Sequence, residues 1–107
     1  MRNNKNNLIV PTTKNKLLTI LTKSGKVVTE ISLPDETKEA TITDLIIIGK
    51  NIIVGFSNGT VYEIKANQKP KEIFRSGISA IVSLNNVDGN CLVTDYNGNI
   101  TLLRISE

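Results

Sequence analysis

The sequence predicts an all-β protein made of repeated antiparallel hairpins, and three observations predict it. Ile, Val and Thr supply 34 of 107 residues while Ala supplies 3, so β-branched side chains dominate and the strongest helix former is scarce. Short apolar runs are punctuated by Gly- and Asn-containing turns, the pattern of strands joined in hairpins. One hairpin pattern also recurs three times, which changes the reading of the whole chain. At 11.7 kDa the chain amounts to one small domain or part of a larger one.

Residues 1–16 hold Arg2, Lys5, Lys14 and Lys16 and no acidic residue, a charge of +4, whereas nine basic residues face ten acidic ones from Leu17 onward. The basic excess therefore sits in an Asn-rich N-terminal segment and the body is near neutral. This segment reads as a solvated terminus, with residues 8–10, Leu-Ile-Val, as a candidate closing strand.

The hairpins centre on Gly25, Gly59 and Gly98, spaced 34 and 39 residues apart. Five residues before these glycines stand Ile20, Val54 and Val93, and two after them stand Val27, Val61 and Ile100. Apolar positions thus recur in register. Ser24, Asn58 and Asn97 directly precede the glycines, and Asn-Gly predicts a type I′ turn, which matches strand twist. Residues 42–48 and 78–84 are the inner strands preceding the second and third hairpins, with a longer turn over 85–89 accounting for the wider second spacing. Residues 66–70 read as a turn and 71–75 as a short, charged outer strand, charge being a common protection of edges. The repeats then fall at about 17–41, 42–75 and 76–107, the middle one having four strands.

Four antiparallel strands in about 40 residues is the pattern of a β-propeller blade. Residues 45–66, an apolar strand, a tight turn and then Ile52-Ile53-Val54-Gly55-Phe56-Ser57-Asn58-Gly59-Thr60-Val61-Tyr62-Glu63-Ile64, resemble a WD40-type or quinoprotein-type blade. Residues 91–105 and 17–33 are similar. Ile64-Lys65 and Leu103-Arg104 stand where WD40 repeats carry Trp-Asp. The resemblance implies an all-β chain of two to three antiparallel, four-stranded, propeller-like blades. Closed propellers hold about four to eight blades, so this is an incomplete ring. Its strand edges would be satisfied in a longer protein, by self-association into an oligomer, or by closure as a small sandwich or barrel. The last strand has no outer strand after it, so a fourth is expected from elsewhere.

The chain has no His, no Trp and one Cys, which excludes a Ser-His-Asp or Cys-His arrangement, a His-based metal site and an intrachain disulfide. Cys91 is expected in the core. Asp44, Asp88, Asp95 and Glu63 show no convergent spacing and read as strand-end and turn carboxylates, and calcium- and phosphate-loop motifs are absent. No cofactor is expected, and the chain reads as non-enzymatic. Of four aromatics, Phe56 and Phe74 are assigned to the core. Tyr62 and Tyr96 flank turns and are the candidate partner-binding anchors, together with Arg75 and Arg104.

The functional expectation is a propeller-like scaffold or structural module mediating protein–protein interaction within a larger assembly, its partner another protein or a second copy. One alternative is a nucleic-acid-associated protein whose Arg2, Lys5, Lys14 and Lys16 dock on phosphate. Another is part of an enzyme whose remaining groups lie on a different chain. Pro11 ends the N-terminal apolar run, and the longest such run, Leu45 to Ile48, is too short to cross a bilayer, so no membrane partner is expected. A lone cysteine without an export signal suggests the cytoplasm.

Overall fold

The computed structural model describes residues 2–4, 7–11, 16–21, 27–34, 37, 39–65, 68–77 and 79–105, with side chains described from Ile31 onward. All regular structure in it is antiparallel strand, in three open sheets. The chain divides into two compact units, residues 1–39 and 40–107. Such a division is natural where each repeat contacts only its neighbours.

The first unit is one sheet in sequential order: β1 (Arg2–Asn4), β2 (Asn7–Pro11), β3 (Lys16–Leu21) and β4 (Val27–Ser32). Arg2 pairs with Ile9, Leu8 with Ile20 and Leu18 with Glu30. This differs from the expected free N-terminus and closing strand. Residues 8–10 lie inside β2, whose two edges are taken by β1 and β3, so they are an inner strand of the first sheet and have no edge left to complete the last one. The first sheet accordingly begins at Arg2 rather than near residue 17. The Ser24-Gly25 turn lies outside the described residues.

The second unit holds two sheets. The second sheet runs β5 (Ile42–Ile48), β6 (Asn51–Phe56), β7 (Thr60–Ile64) and β8 (Lys71–Arg75), matching the expected repeat at 42–75. The third has three strands, β9 (Ile81–Val87), β10 (Asn90–Asp95) and β11 (Ile100–Leu103), in the order β9-β10-β11.

These two sheets repeat with one offset of 39 residues. Ile42 pairs with Phe56 as Ile81 pairs with Asp95, and both ladders carry their bulge directly after that pair. Leu45 pairs with Val54 as Leu84 pairs with Val93. The expected inner strand at 78–84 and long turn at 85–89 are therefore corrected. The strand is 81–87 and the turn is only Asp88-Gly89, with φ of 51° and 85°, the two positive values of a type I′ turn.

The Asn-Gly hairpins also differ from expectation. Phe56 O accepts the Gly59 N–H at 3.1 Å and Asp95 O accepts the Gly98 N–H at 3.0 Å, each closing a turn whose glycine has φ 86°. Asn58 and Asn97 do not have positive φ, so these are longer loops ending in a left-handed glycine rather than two-residue type I′ turns. Asn58 instead uses its Oδ1 to accept the Thr60 N–H at 3.1 Å and the Thr60 hydroxyl at 2.6 Å. Asp95 likewise accepts the N–H groups of Asn97 and Asn99 at 3.0 and 2.9 Å. These side-chain bonds hold the loops without help from the ladder.

Candidate interaction face

Side chains alternate across a strand, so pairing and parity assign every residue of the second unit to a face. On one face of the second sheet, Ile46, Ile48, Ile53 and Val61 form a buried cluster with Ile81, Leu84, Cys91 and Val93 of the third. Gly55 lies on that face, where the absence of a Cβ admits Ile81. Asp44 reaches across the same joint and its Oδ2 accepts the Leu84 N–H at 2.8 Å. On the other face Leu45, Val54, Phe56, Tyr62 and Ile64 are buried too. The second sheet is thus buried on both faces.

The third sheet is buried on one face only. Its open face carries Val87, Leu92, Ile100 and Leu102 among the polar Ser83, Asn85, Asn90 and Thr94, each the 39-residue counterpart of a position on the covered face of the second sheet. Val61 is 0% exposed and its counterpart Ile100 is 66% exposed; Ile48 is 3% exposed and its counterpart Val87 is 40% exposed. Leu92, the counterpart of fully buried Ile53, is half-buried, and Leu102, the counterpart of buried Glu63, is 52% exposed. An antiparallel face that meets only water is ordinarily polar, whereas this one keeps three of the four apolar cluster positions of the packed face, with Asn85 standing at the fourth, that of Ile46. β11 is moreover an edge strand, with no fourth strand beside it among the described residues.

The predicted site residues separate. Tyr62 is buried, its ring edge-to-face with Phe56 at 5.7 Å between centroids, so it is a core side chain and not an exposed anchor. Its parity places it beside Val54, with which it pairs directly. Its hydroxyl lies 3.5 Å from Glu72 Oε1. Arg75 grips the same carboxylate, Nη2 to Oε1 at 2.6 Å and Nε to Oε2 at 3.2 Å. Arg75 is exposed on β8, away from the open face of the third sheet. Tyr96 is 80% exposed in the β10–β11 loop, where its N–H donates to Ala80 O at 2.8 Å, and Arg104 is exposed just past the other end of β11. Tyr96 and Arg104 therefore flank the open face at opposite ends, while Ile100 and Leu102, on its edge strand β11, are not among the predicted site residues. The one signal available was the recurrence of Ile100 at the Val61 position.

Of the nucleic-acid candidates, Arg2 and Lys16 fall on the backbone of β1 and β3, and Lys5 and Lys14 lie outside the described residues. Phe56 is in the core as expected, and Phe74, partly buried, packs against the cluster between the second and third sheets. Cys91 is fully buried; burial foremost, and then the charge of Asp44, push its thiol from 9.0 up to about 11. Asp95 is held below its ordinary value, chiefly by the hydrogen bond from the Asn99 side chain. Among the described residues no three His, Cys, Asp or Glu side chains gather closely enough to hold a metal ion.

No protein-family model and no curated protein matches the chain. Solved structures do. BamB from Moraxella catarrhalis, a propeller-type β-repeat protein, is similar at a TM-score of 0.74 with 17% identity, over 95% of this chain and 30% of that one. The computationally designed Ika4 protein is similar at a TM-score of 0.75 with 16% identity, over 98% of this chain and 64% of its own. The chain thus spans less than two thirds of either. At these identities the likeness is one of fold, and it agrees with an all-β chain resembling part of a propeller.

Proposed function

We propose that the chain is a non-enzymatic, propeller-like scaffold of the broad class that includes WD40-type and quinoprotein-type blades, and that it mediates protein–protein interaction within a larger assembly in the cytoplasm. The observation that supports this is the contrast between Val61 and Ile100. The same repeat position is sealed in the second sheet and open in the third, so the packing that the repeat is patterned for is unfinished. A propeller-type fold suits the role, since its sheets stack by faces. The face offers Val87, Leu92, Ile100 and Leu102 beside neutral polar side chains such as Asn85 and Thr94, and the carboxylates of Asp44 and Asp95 are engaged by backbone N–H groups.

The test is chemical cross-linking of the expressed chain in living cells, wild type against the Ile100→Lys, Leu102→Lys double variant. A discrete cross-linked protein species, its own kind or another, that disappears in the variant is the expected result. An unchanged cross-linking pattern would overturn the reading, as would salt-sensitive binding to DNA or RNA that survives the double substitution.

A further inference from the structure

We infer that Asn97 is a site of spontaneous covalent modification, its side-chain amide closing onto the Gly98 nitrogen with loss of ammonia, and that the fold protects Asn58 from the same reaction. The inference is independent of the scaffold reading. In this reaction the glycine nitrogen gives its proton to solvent base and attacks the Asn Cγ. The bond from Cγ to the side-chain nitrogen breaks, and that nitrogen takes a proton from water and leaves as ammonia. Water then opens the five-membered imide at either carbonyl, giving aspartate or isoaspartate. A following glycine favours the attack because it has no Cβ to obstruct the approach. The chain has two Asn-Gly pairs, Asn58-Gly59 and Asn97-Gly98, and they occupy the same repeat position.

The two pairs share a backbone and differ in surroundings. Both glycines have φ 86°, and both N–H groups are donated to a carbonyl earlier in the loop, Gly59 to Phe56 at 3.1 Å and Gly98 to Asp95 at 3.0 Å. The attacking nitrogen is therefore held alike in the two. Asn58 Oδ1 accepts the Thr60 N–H at 3.1 Å and the Thr60 hydroxyl at 2.6 Å, and both bonds must break before Cγ can turn onto the Gly59 nitrogen. Gly59 is buried, packs against Ser76 and Ser79, and its carbonyl accepts the Ser76 N–H at 2.8 Å. Asn97 and Gly98 are exposed, and a Cβ at Gly98 would meet nothing within 4 Å. The Asn97 amide is held by one bond, from Nδ2 to Ser79 Oγ. Exposed loop bonds open locally at less cost than buried ones, so solvent base reaches the Gly98 nitrogen while Gly59 stays shut.

The products bear on β11. An aspartate at position 97 keeps a partner in the Ser79 hydroxyl, which turns from acceptor to donor, but it sets a second negative charge in the loop of Asp95. Isoaspartate adds a methylene to the backbone between Asp95 and Asn99, whose N–H and carbonyl are joined at 3.1 Å. Modification thus loosens the hairpin that carries β11 and places charge beside Tyr96, at one end of the open face.

Prolonged incubation of the folded full chain at mildly alkaline pH tests this, with peptide mapping by mass spectrometry to locate each amide-to-acid conversion. Conversion at Asn97 should be at least about tenfold faster than at Asn58, the weight in a barrier of roughly one hydrogen bond. In urea, where only the shared Asn-Gly sequence remains, the two rates should draw together. Thr60→Val, which removes the hydroxyl bond to Asn58 Oδ1, should speed Asn58 severalfold and leave Asn97 unchanged, which separates loss of this bond from general unfolding. An Asn58 that converts as fast as Asn97 in the folded protein, a ratio unchanged by urea, or an Asn97 that stays intact while the unfolded chain converts would each overturn the inference. An Asn58 rate unmoved by Thr60→Val would overturn its protective half.

Discussion

Asp44 on β5 and Leu84 on β9 join two sheets through a hydrogen bond, the carboxylate Oδ2 accepting the backbone N–H at 2.8 Å across 40 residues of sequence. β9 is an edge strand, and Leu84 turns its N–H away from β10, so the ladder offers it no acceptor. Oδ1 of the same carboxylate accepts the Leu45 N–H at 2.8 Å, which fixes its direction. Replacing Asp44 by Ala leaves a part-buried amide without this acceptor and should cost about 1–3 kcal/mol, with Asp44→Asn costing less because one oxygen remains. Urea unfolding midpoints decide it. A D44A protein as stable as wild type would show that the clasp adds nothing.

The same joint sets a limit on side-chain volume at Gly55. A Cβ there would stand 2.7 Å from Ile81 Cγ2 and 3.2 Å from Ile81 Cβ, inside contact distance. Gly55→Ala should therefore destabilise by about 1–3 kcal/mol through overpacking. Ile81→Ala is destabilising alone, since it empties a core position, but it removes Cγ2, the closer of the two clashing atoms, and leaves only Cβ at 3.2 Å. The double variant should then be more stable than the two single losses added together, and a strictly additive cycle would place the strain elsewhere.

What could be read from sequence follows from where the physics is local. Glycine spacing and the apolar positions around Gly59 and Gly98 are local, and they revealed the hairpins and the four-stranded repeat at 42–75. The register of β9 was obscured because Ile78-Ser79-Ala80 imitates Ile42-Thr43-Asp44 in pattern, and Asn85-Asn86 imitates a turn although both pair within the ladder. β1 was hidden because Arg2-Asn3-Asn4 has poor strand propensity and is held by backbone pairing to β2. Tyr62 was misplaced by its nearness to a turn, where its pairing with Val54 was the better guide. Exposure of Ile100 and Leu102 could not be read locally at all. It depends on what lies against the sheet, and Val61, at the repeat position of Ile100, is buried.

Cys91 provides a probe of that core. Burial raises its thiol to about 11, so the native protein should resist Ellman's reagent at pH 8 and release one reactive thiol on denaturation. The folded state favours the protonated form, so between 9.0 and about 11 the unfolded chain ionises first and stability falls as pH rises. Cys91→Val, close in volume and unable to titrate, should show a smaller decline over that interval. Equal declines in the two proteins would mean that Cys91 is not the group responsible.

Asp95 acts at the acid end with the opposite sign. Its folded value is lowered below 3.8 by the Asn99 side chain and the loop amides, so its contribution is fully present above that value and is lost as pH falls through the folded one. The stability advantage of wild type over Asp95→Asn should be constant from pH 7 to about 5 and shrink on further acidification. Thermal unfolding of both proteins across that range measures it, and a gap that does not narrow in acid would remove Asp95 from the account.

Gly59 and Gly98 separate backbone conformation from packing, because both have φ 86° and both close a hairpin loop after an Asn. Around Gly98 a Cβ would meet nothing within 4 Å. At Gly59 it would strike Ser76 Oγ and lie 2.5 Å from Ser79 O, two atoms already joined by a hydrogen bond of 2.5 Å. Gly59 is further bound by its own carbonyl, which accepts the Ser76 N–H at 2.8 Å, so the segment leading to β9 is laced to this loop and has little room to retreat. Gly98→Ala should thus cost only the left-handed penalty, about 1–2 kcal/mol. Gly59→Ala should cost that plus the displacement of the Ser76–Ser79 turn, and Ser76→Ala should recover part of the difference by removing the struck oxygen. Equal losses at the two glycines would mean that the Ser76–Ser79 turn yields freely and that the crowding at Gly59 has no energetic weight.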